Sequence, residues 1–318
     1  SARRGEGAAN ASRGIEMIRR AASLLAGFVL FVVPSASVRA AEPPAPQPAP
    51  PAATAKADGG DDALKVCRAA EFQKNTQVAA FLADYDRAAW LTSDLVVAEP
   101  GFDSSAMSRE WFCYEDGGVW HAVYGKYTEG QPYRVVYHYV ADGHGFVRAT
   151  TAPDPARVDL YPALLHAAEG RLPEEFKLNR RLLNPYVRPL PDGKVEVRYI
   201  PGQKGDFIYV GFDLAYVFDA ATRAFVSADE VVAPGGVRAV KPDRAAPLYI
   251  PNQGRDVATP GQIFQLLSLR RDFDMVIIES KRCSSTLIEE DGKILGWLNV
   301  DRENPPVPSA APGAFPRH

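Results

Sequence analysis

Apolar positions recur along this chain with two different periods, and the switch between them outlines the architecture. Val78, Phe81, Leu82 and Tyr85 fall at i, i+3, i+4 and i+7, which gathers them on one face of a helix over Thr76–Ala88, with Asn75 or Thr76 as its cap. From Arg109 to Thr150 the period drops to two. Runs of Trp, Tyr, Phe and Val are separated by Asp116-Gly117-Gly118, Thr128-Glu129-Gly130-Gln131-Pro132 and Asp142-Gly143, turn-forming sequences at hairpin spacing, so an antiparallel meander of about four strands is predicted. Nine aromatic residues fall between Trp111 and Tyr139, and both alternating faces of Val119–Tyr127 carry large or apolar groups. Such strands are expected to be covered on both sides.

Asp154-Pro155 opens a helical region interrupted at Pro162, whose better half, Pro162–Glu169, ends with Gly170 in the C′ role. Tyr186–Leu190, Lys194–Ile200, Phe207–Phe218 and Ala224–Val231 then read as strands, with Asp192-Gly193 as a turn. Thr259-Pro260-Gly261-Gln262 supplies a capping box and an N1 proline for a helix to about Leu269. Phe273–Ser280, Cys283–Glu289 and Ile294–Leu298 close the domain, the last two around Glu290-Asp291-Gly292. The fold class is α+β, mainly antiparallel, with two meander-like β regions and three or four helices packed on sheet faces. A helix plus meander is expected over 62–152 and a second α+β subdomain over 153–302.

The ends of the chain have a different character. Met17, Arg19-Arg20, an apolar run of 13 residues from Ala21 to Val33, and Val38-Arg39-Ala40 before Ala41 have the layout of a secretory signal peptide over 17–40. The run is well short of the ~20 residues that a helix needs to span a bilayer. Residues 1–16 read as an upstream extension. The Pro/Ala-rich stretch over 41–61 reads as a polyproline-like spacer, and 303–318, again Pro/Ala-rich, reads as a disordered tail. A secreted chain, periplasmic in a Gram-negative host, follows, with no stable membrane insertion after cleavage.

Removing 1–40 leaves 30 basic against 37 acidic residues, a net charge of −7. Nucleic acid and anionic membrane bind through a positive field, so neither is an expected partner. Three cysteines in an oxidising compartment cannot all pair with one another. Cys67 and Cys283 lie near opposite ends of the folded segment and are the favoured disulfide, with Cys113–Cys283 and Cys67–Cys113 as alternatives. Cys113, between Phe112 and Tyr114, reads as a small buried apolar residue.

Chemistry is sparsely signposted. Cys113 with His121 is a poor nucleophile and base pair, because Trp111, Phe112, Tyr114, Glu115 and Asp116 offer nothing electropositive to lower a thiol pKa. His121, His138 and His144 can be imagined as a metal cluster on adjacent strands, but no HxH, HExxH or CxxC supports one. GxSxG and a Gly-rich phosphate loop are also missing, and Gly202-Gln203-Lys204-Gly205 reads as a hairpin loop. No catalytic residue, cofactor or metal is expected. Trp111, Trp120, His121, Tyr124, Tyr137, His138 and Tyr139 are the candidate ligand surface, weighed against a core role for the same aromatics.

Pro189-Leu190-Pro191-Asp192-Gly193-Lys194, Gly211-Phe212-Asp213-Leu214-Ala215-Tyr216, Thr259-Pro260 and Ile263-Phe264 occur in the order seen in uncharacterised secreted proteins of proteobacteria, which this region (184–294) resembles. Those are distantly similar to the JAB/MPN metal-hydrolase fold. The matching stretch here is Pro247-Leu248-Tyr249-Ile250-Pro251-Asn252, with Gln262 and Gln265 where an acid would stand, so both ligand types are absent and the resemblance implies an inactive relative. The expected function is a non-enzymatic binding or envelope-associated module whose partner is an envelope protein, a peptide or a glycan. The alternative is a hydrolase with no recognisable signature, a degenerate JAB/MPN-like domain.

Mass spectrometry of the exported protein is expected to find Ala41 at the N-terminus, and a membrane-pelleted chain that still carries Met17 would overturn the signal-peptide reading.

Overall fold

The computed structural model describes residues 69–302 apart from 205, 234–235, 253 and 291–292. The segments read above as signal peptide, spacer and tail, and Cys67, lie outside the described residues. Helices and mostly antiparallel sheets make the chain α+β. The described residues fall into two compact units, Ala80–Val232 with Val237–Pro242, and the residues up to Ala79 with Ala233, Gly236 and those from Asp243 on. The boundary expected near 153 therefore lies inside the first unit, where Phe112 and Tyr114 share one core with Tyr161, Leu164, Val197 and Leu214.

Helix α1 (Ala69–Ala98) is far longer than its strongest apolar stripe suggests. Neither expected cap acts as one. Thr76 turns its hydroxyl back to the Phe72 carbonyl at 2.9 Å, the usual compromise of a threonine inside a helix, and Asn75 donates to the Ala258 carbonyl at 2.8 Å.

The first unit begins with the predicted meander: β1 (Phe112–Asp116), β2 (Val119–Lys126), β3 (Arg134–Ala141) and β4 (Phe146–Arg148), in that spatial order. Gly117 and Gly118 turn β1 into β2 with φ of +56° and +84°, as a tight hairpin requires. Side chains alternate across the sheet. Trp111, Cys113, Trp120, Ala122, Tyr124, Tyr137 and Tyr139 share one face, and Phe112, Tyr114, His121, Val123 and His138 the other. Phe81 and Tyr85 of α1 pack on the first face, with ring centroids 5.5 and 6.0 Å from Trp120. On the second face Phe112 meets Tyr161 edge to face at 5.4 Å. Tyr161 belongs to helix α2 (Pro155–Arg171), which Asp154 caps through its side chain. Pro162 does not break α2, and Gly170 lies inside it: the helix runs on to Arg171, with Leu172 as its C-cap, just before Pro173 and the short α3 (Glu174–Leu178).

A second sheet, ordered β10-β9-β6-β5, follows from β5 (Leu183–Pro189), β6 (Lys194–Pro201), β9 (Phe212–Asp219) and β10 (Phe225–Val232). The strand expected over Phe207–Phe218 is split at Gly211, whose φ of +115° suits only glycine. Its first part, β8 (Phe207–Val210), joins β7 (Gln203–Lys204) and β11 (Arg238–Val240) in a separate small sheet.

One face of the second sheet is apolar, through Val195, Val197, Phe212 and Leu214. The other carries a buried row of charge. Arg198 lies 3.2 Å from Glu196 and 2.5 Å from Asp213, and Arg188 lies 3.3 Å from Glu196. Burial works against the charge of both Glu196 and Arg198. Even so, Arg198 and Arg188 hold the Glu196 carboxyl below its ordinary value, while Asp213 and Glu196 keep Arg198 charged against its own burial.

The second unit holds β12 (Leu248–Asn252), α4 (Pro260–Leu269), β13 (Val276–Ser280), β14 (Cys283–Glu290) and β15 (Lys293–Asp301). Thr259 and Gln262 form the expected capping box in full. β12 and β13 run parallel, joined through α4. This βαβ step goes unpredicted because a five-residue strand beside two prolines carries little periodic signal. Leu248, Ile250, Val276, Ile278 and Cys283 are buried on one face of the sheet, whereas Tyr249, Ile288 and Leu298 stand 45, 44 and 47% exposed.

Arg198→Met should lower unfolding free energy by about 3–5 kcal/mol in urea titrations, because it removes the guanidinium that the two buried carboxylates, Glu196 and Asp213, share. Replacing Glu196 and Asp213 by apolar residues in the same variant should restore most of the loss. A single-variant loss no larger than that of a surface ion pair would contradict this account.

Candidate functional site

The seven candidate residues do not form one surface. Trp111, Trp120, Tyr124, Tyr137 and Tyr139 lie on the face of β1–β3 that α1 covers, and His121 and His138 on the opposite face. Tyr124, Tyr137 and Tyr139 are buried, and Trp111 and Trp120 half-buried. The hydroxyls of Tyr124 and Tyr139 are engaged inside the fold. The Tyr124 hydroxyl donates to the Ala89 carbonyl at 3.0 Å and lies 2.7 Å from Thr92 Oγ1. Tyr139 donates to Glu99 at 2.7 Å, Glu99 pairs with Arg148 at 2.8 Å, and the Arg148 guanidinium sits over the Tyr137 ring. The aromatics are core, and a platform for stacking a glycan or peptide on them is not what the chain builds.

Cys113 shares the α1 face. It is buried and free, its amide donates to the Tyr85 hydroxyl at 3.0 Å, and burial, followed by the charge of Asp86, pushes its thiol far up. The histidine with which it might have acted, His121, points to the other side of the sheet. With Cys113 free, neither disulfide alternative that uses it is present, and the Cys67 half of the favoured pair lies outside the described residues. His144 sits in the exposed turn after β3, away from the other two histidines, and among the described residues no group of three His, Cys, Asp or Glu side chains is placed to hold a metal.

The two strand histidines do meet. Val123 pairs with His138 and Tyr114 with His121, so the pleat sets His121 and His138 on neighbouring strands of one face. His121 Nδ1 lies 3.0 Å from His138 Nε2, and His138 Nδ1 lies 3.0 Å from the Thr151 carbonyl. The Tyr114 ring stacks on His121 at 4.5 Å and 4°, and Arg157 of α2 covers Tyr114 with its guanidinium 4.4 Å from the ring centroid. Arg157 is itself fixed by Asp154 at 3.2 Å, Asp116 at 3.6 Å and the Glu115 carbonyl at 2.7 Å. Burial lowers the pKa of both imidazoles, and His138 lowers that of His121 further.

A second cluster lies at the other end of β1. Glu110 is buried, with His166 Nδ1 at 3.4 Å, and Tyr127 packs on the His166 ring at 5.0 Å. The Tyr133 hydroxyl is buried without a hydrogen-bond partner, and burial, with Glu110 adding to it, raises its pKa. His166 was not singled out by sequence because nothing local ties a helix histidine to a carboxylate 56 positions away. Arg157 was equally hidden. Its place one turn into α2 says only that it can balance Asp154.

Comparison with known proteins finds no family model, no curated sequence and no solved structure that matches this chain. No helix among the described residues is long and apolar enough to cross a membrane.

Tyr114 ties the stack to the chain leading into α2, since its hydroxyl accepts from the Asp154 amide at 3.1 Å. Tyr114→Phe keeps the ring and removes that acceptor, so it should cost about 1–2 kcal/mol in chemical denaturation. Retention of full stability would show that the amide finds another partner.

Proposed function

We propose that this chain is an exported, non-enzymatic binding module of the cell envelope, and that it takes an extended segment of a partner protein along β15. The observation that carries this reading is the free flank of the β12–β15 sheet. β15 ends the strand order, pairs with β14 on one side and with no described strand on the other, and spans nine residues without proline. Beside it Leu298 and Ile288 leave apolar surface open. An added strand would gain main-chain hydrogen bonds along the edge and seat alternate side chains on that surface. The burial of the meander aromatics supports a polypeptide partner over a glycan, and the acidic net charge of the mature chain does not favour nucleic acid. The sequence layout of residues 17–41 supports export.

The test is a photo-crosslinking side chain placed at Ile288 of the full chain, with one at the well-exposed Leu178 as control. A discrete adduct with an identified envelope polypeptide at 288, absent at 178 and lost on Leu298→Asp, is the expected result. Adducts only with a second copy of the chain, or equal labelling at both positions, would overturn it.

The runner-up, a hydrolase without a sequence signature, draws on one feature. Buried Glu110 orients a half-exposed His166, the arrangement of a general base. Hydrolysis of model esters or peptides that is lost in His166→Asn would move this reading to first place.

A further inference from the structure

We infer that Glu110, Tyr133 and His166 form a binding position for a single hydroxyl oxygen, of water or of a small alcohol, beside Gly125. The chain builds this place from three directions. Ser108 donates its amide to the Gly125 carbonyl at 2.8 Å and Phe112 pairs with Val123, so Glu110, between them, is fastened alongside the end of β2. Tyr133, just before β3, lays its ring where a side chain of residue 125 would stand. A Cβ there would be 2.9 Å from both Cε1 and Cζ, and Cζ is the carbon that bears the hydroxyl. From α2 comes His166, with Nδ1 3.4 Å from Glu110 Oε1.

The two inner groups are short of partners. Tyr133 and Glu110 are each 8% exposed. The Tyr133 hydroxyl has no hydrogen-bond partner among the described residues. Glu110 has one among them, His166, and 3.4 Å is long for a bond to a carboxylate. A buried hydroxyl left in that state carries the full cost of its lost hydration. The groups also feel each other, since the charge of Glu110 adds to the rise that burial causes in the Tyr133 pKa.

What can join them follows from their chemistry. The phenol hydrogen needs an acceptor, while an ionised carboxylate only accepts. A joining atom must therefore accept from Tyr133 and donate to Glu110. A carbonyl or carboxylate oxygen cannot donate, and an ammonium nitrogen cannot accept. A hydroxyl oxygen does both, and a buried water is held by just such a set of otherwise unsatisfied groups.

His166 stands at the entrance. Its side chain is 48% exposed against 11% for that of Glu110, so the way in from solvent runs past the imidazole, which Tyr127 steadies by packing on it at 5.0 Å. The position requires neither strand addition on β15 nor any hydrolysis, and its test reads neither.

Tyr133→Phe keeps the ring and removes the hydroxyl. If that hydroxyl holds a bridging oxygen, the folding equilibrium constant should fall about fivefold in urea titrations; if it is an orphan, its removal should raise the constant. The two outcomes differ in sign. In the parent chain, NMR with tyrosine labelled at Cζ should find the Tyr133 hydroxyl proton slow to exchange and in Overhauser contact with bound water. A titration with labelled methanol separates the sources: contact of its methyl group with Tyr133 extends the position to alcohols, and contact with water alone assigns it to solvent. His166→Ala should speed exchange of the Tyr133 hydroxyl, and His144→Ala, in the exposed turn, should leave it unchanged. A more stable Tyr133→Phe variant, or a Tyr133 hydroxyl in contact with neither water nor methanol, would overturn the inference.

Discussion

The first unit depends on covering a twisted aromatic meander on both of its faces. An antiparallel sheet usually leaves one face to water, and here neither can be left. Phe112, Tyr114 and Val123 need α2 on one side, while Trp120, Tyr124 and Tyr139 need α1 on the other. Tyr85 shows how tightly this binds the unit. Its ring touches Trp111, Trp120 and Tyr186, and its hydroxyl takes up the Cys113 amide, so one helix side chain meets both strand groups.

Double coverage brings polar groups inward as well as apolar ones. Tyr186 of β5 donates to Asp86 of α1 at 2.8 Å, and burial raises the Asp86 carboxyl while this bond acts against the rise. Next to it stands the row of Arg188, Glu196, Arg198 and Asp213. Such ions contribute little net stability in a dry interior, yet none tolerates the loss of its neighbour. Their effect is on uniqueness of packing: Glu196 must meet both Arg188 and Arg198, and Arg198 must meet both Glu196 and Asp213.

The sequence conveyed the parts of this that rest on period and punctuation. Val195, Val197 and Tyr199 alternate with Glu196 and Arg198 and become a strand; Thr259 and Gln262 cap a helix that ends at Leu269 as expected. The failures are also physical. Pro162 has the mark of a helix break, but a single missing amide is borne by a helix whose residues Tyr161, Leu164 and Leu165 are buried. Gly211 is inconspicuous because its neighbours read as one long apolar strand, and only the positive φ reveals the change of sheet. At the candidate site the histidines are legible in the sequence and their meeting is not, since strand register, with a bulge in the β2–β3 ladder, decides which face His138 takes.

That bulge falls between Tyr124 and Gly125, where the ladder passes from Tyr124↔Tyr137 to Gly125↔Val135 and skips Val136. A Cβ on residue 125 would stand 2.2 Å from the Arg134 carbonyl oxygen and 2.9 Å from the Tyr133 ring. Gly125 thus acts as a phase marker for β3. The strand has a repeat of two, so a slip of one position would exchange its faces, sending His138 beneath α1 and turning Tyr137 and Tyr139 toward α2. One absent methyl group keeps the imidazoles and the phenols on their own sides, which makes residue 125 a determinant of chemistry that contains no chemistry itself.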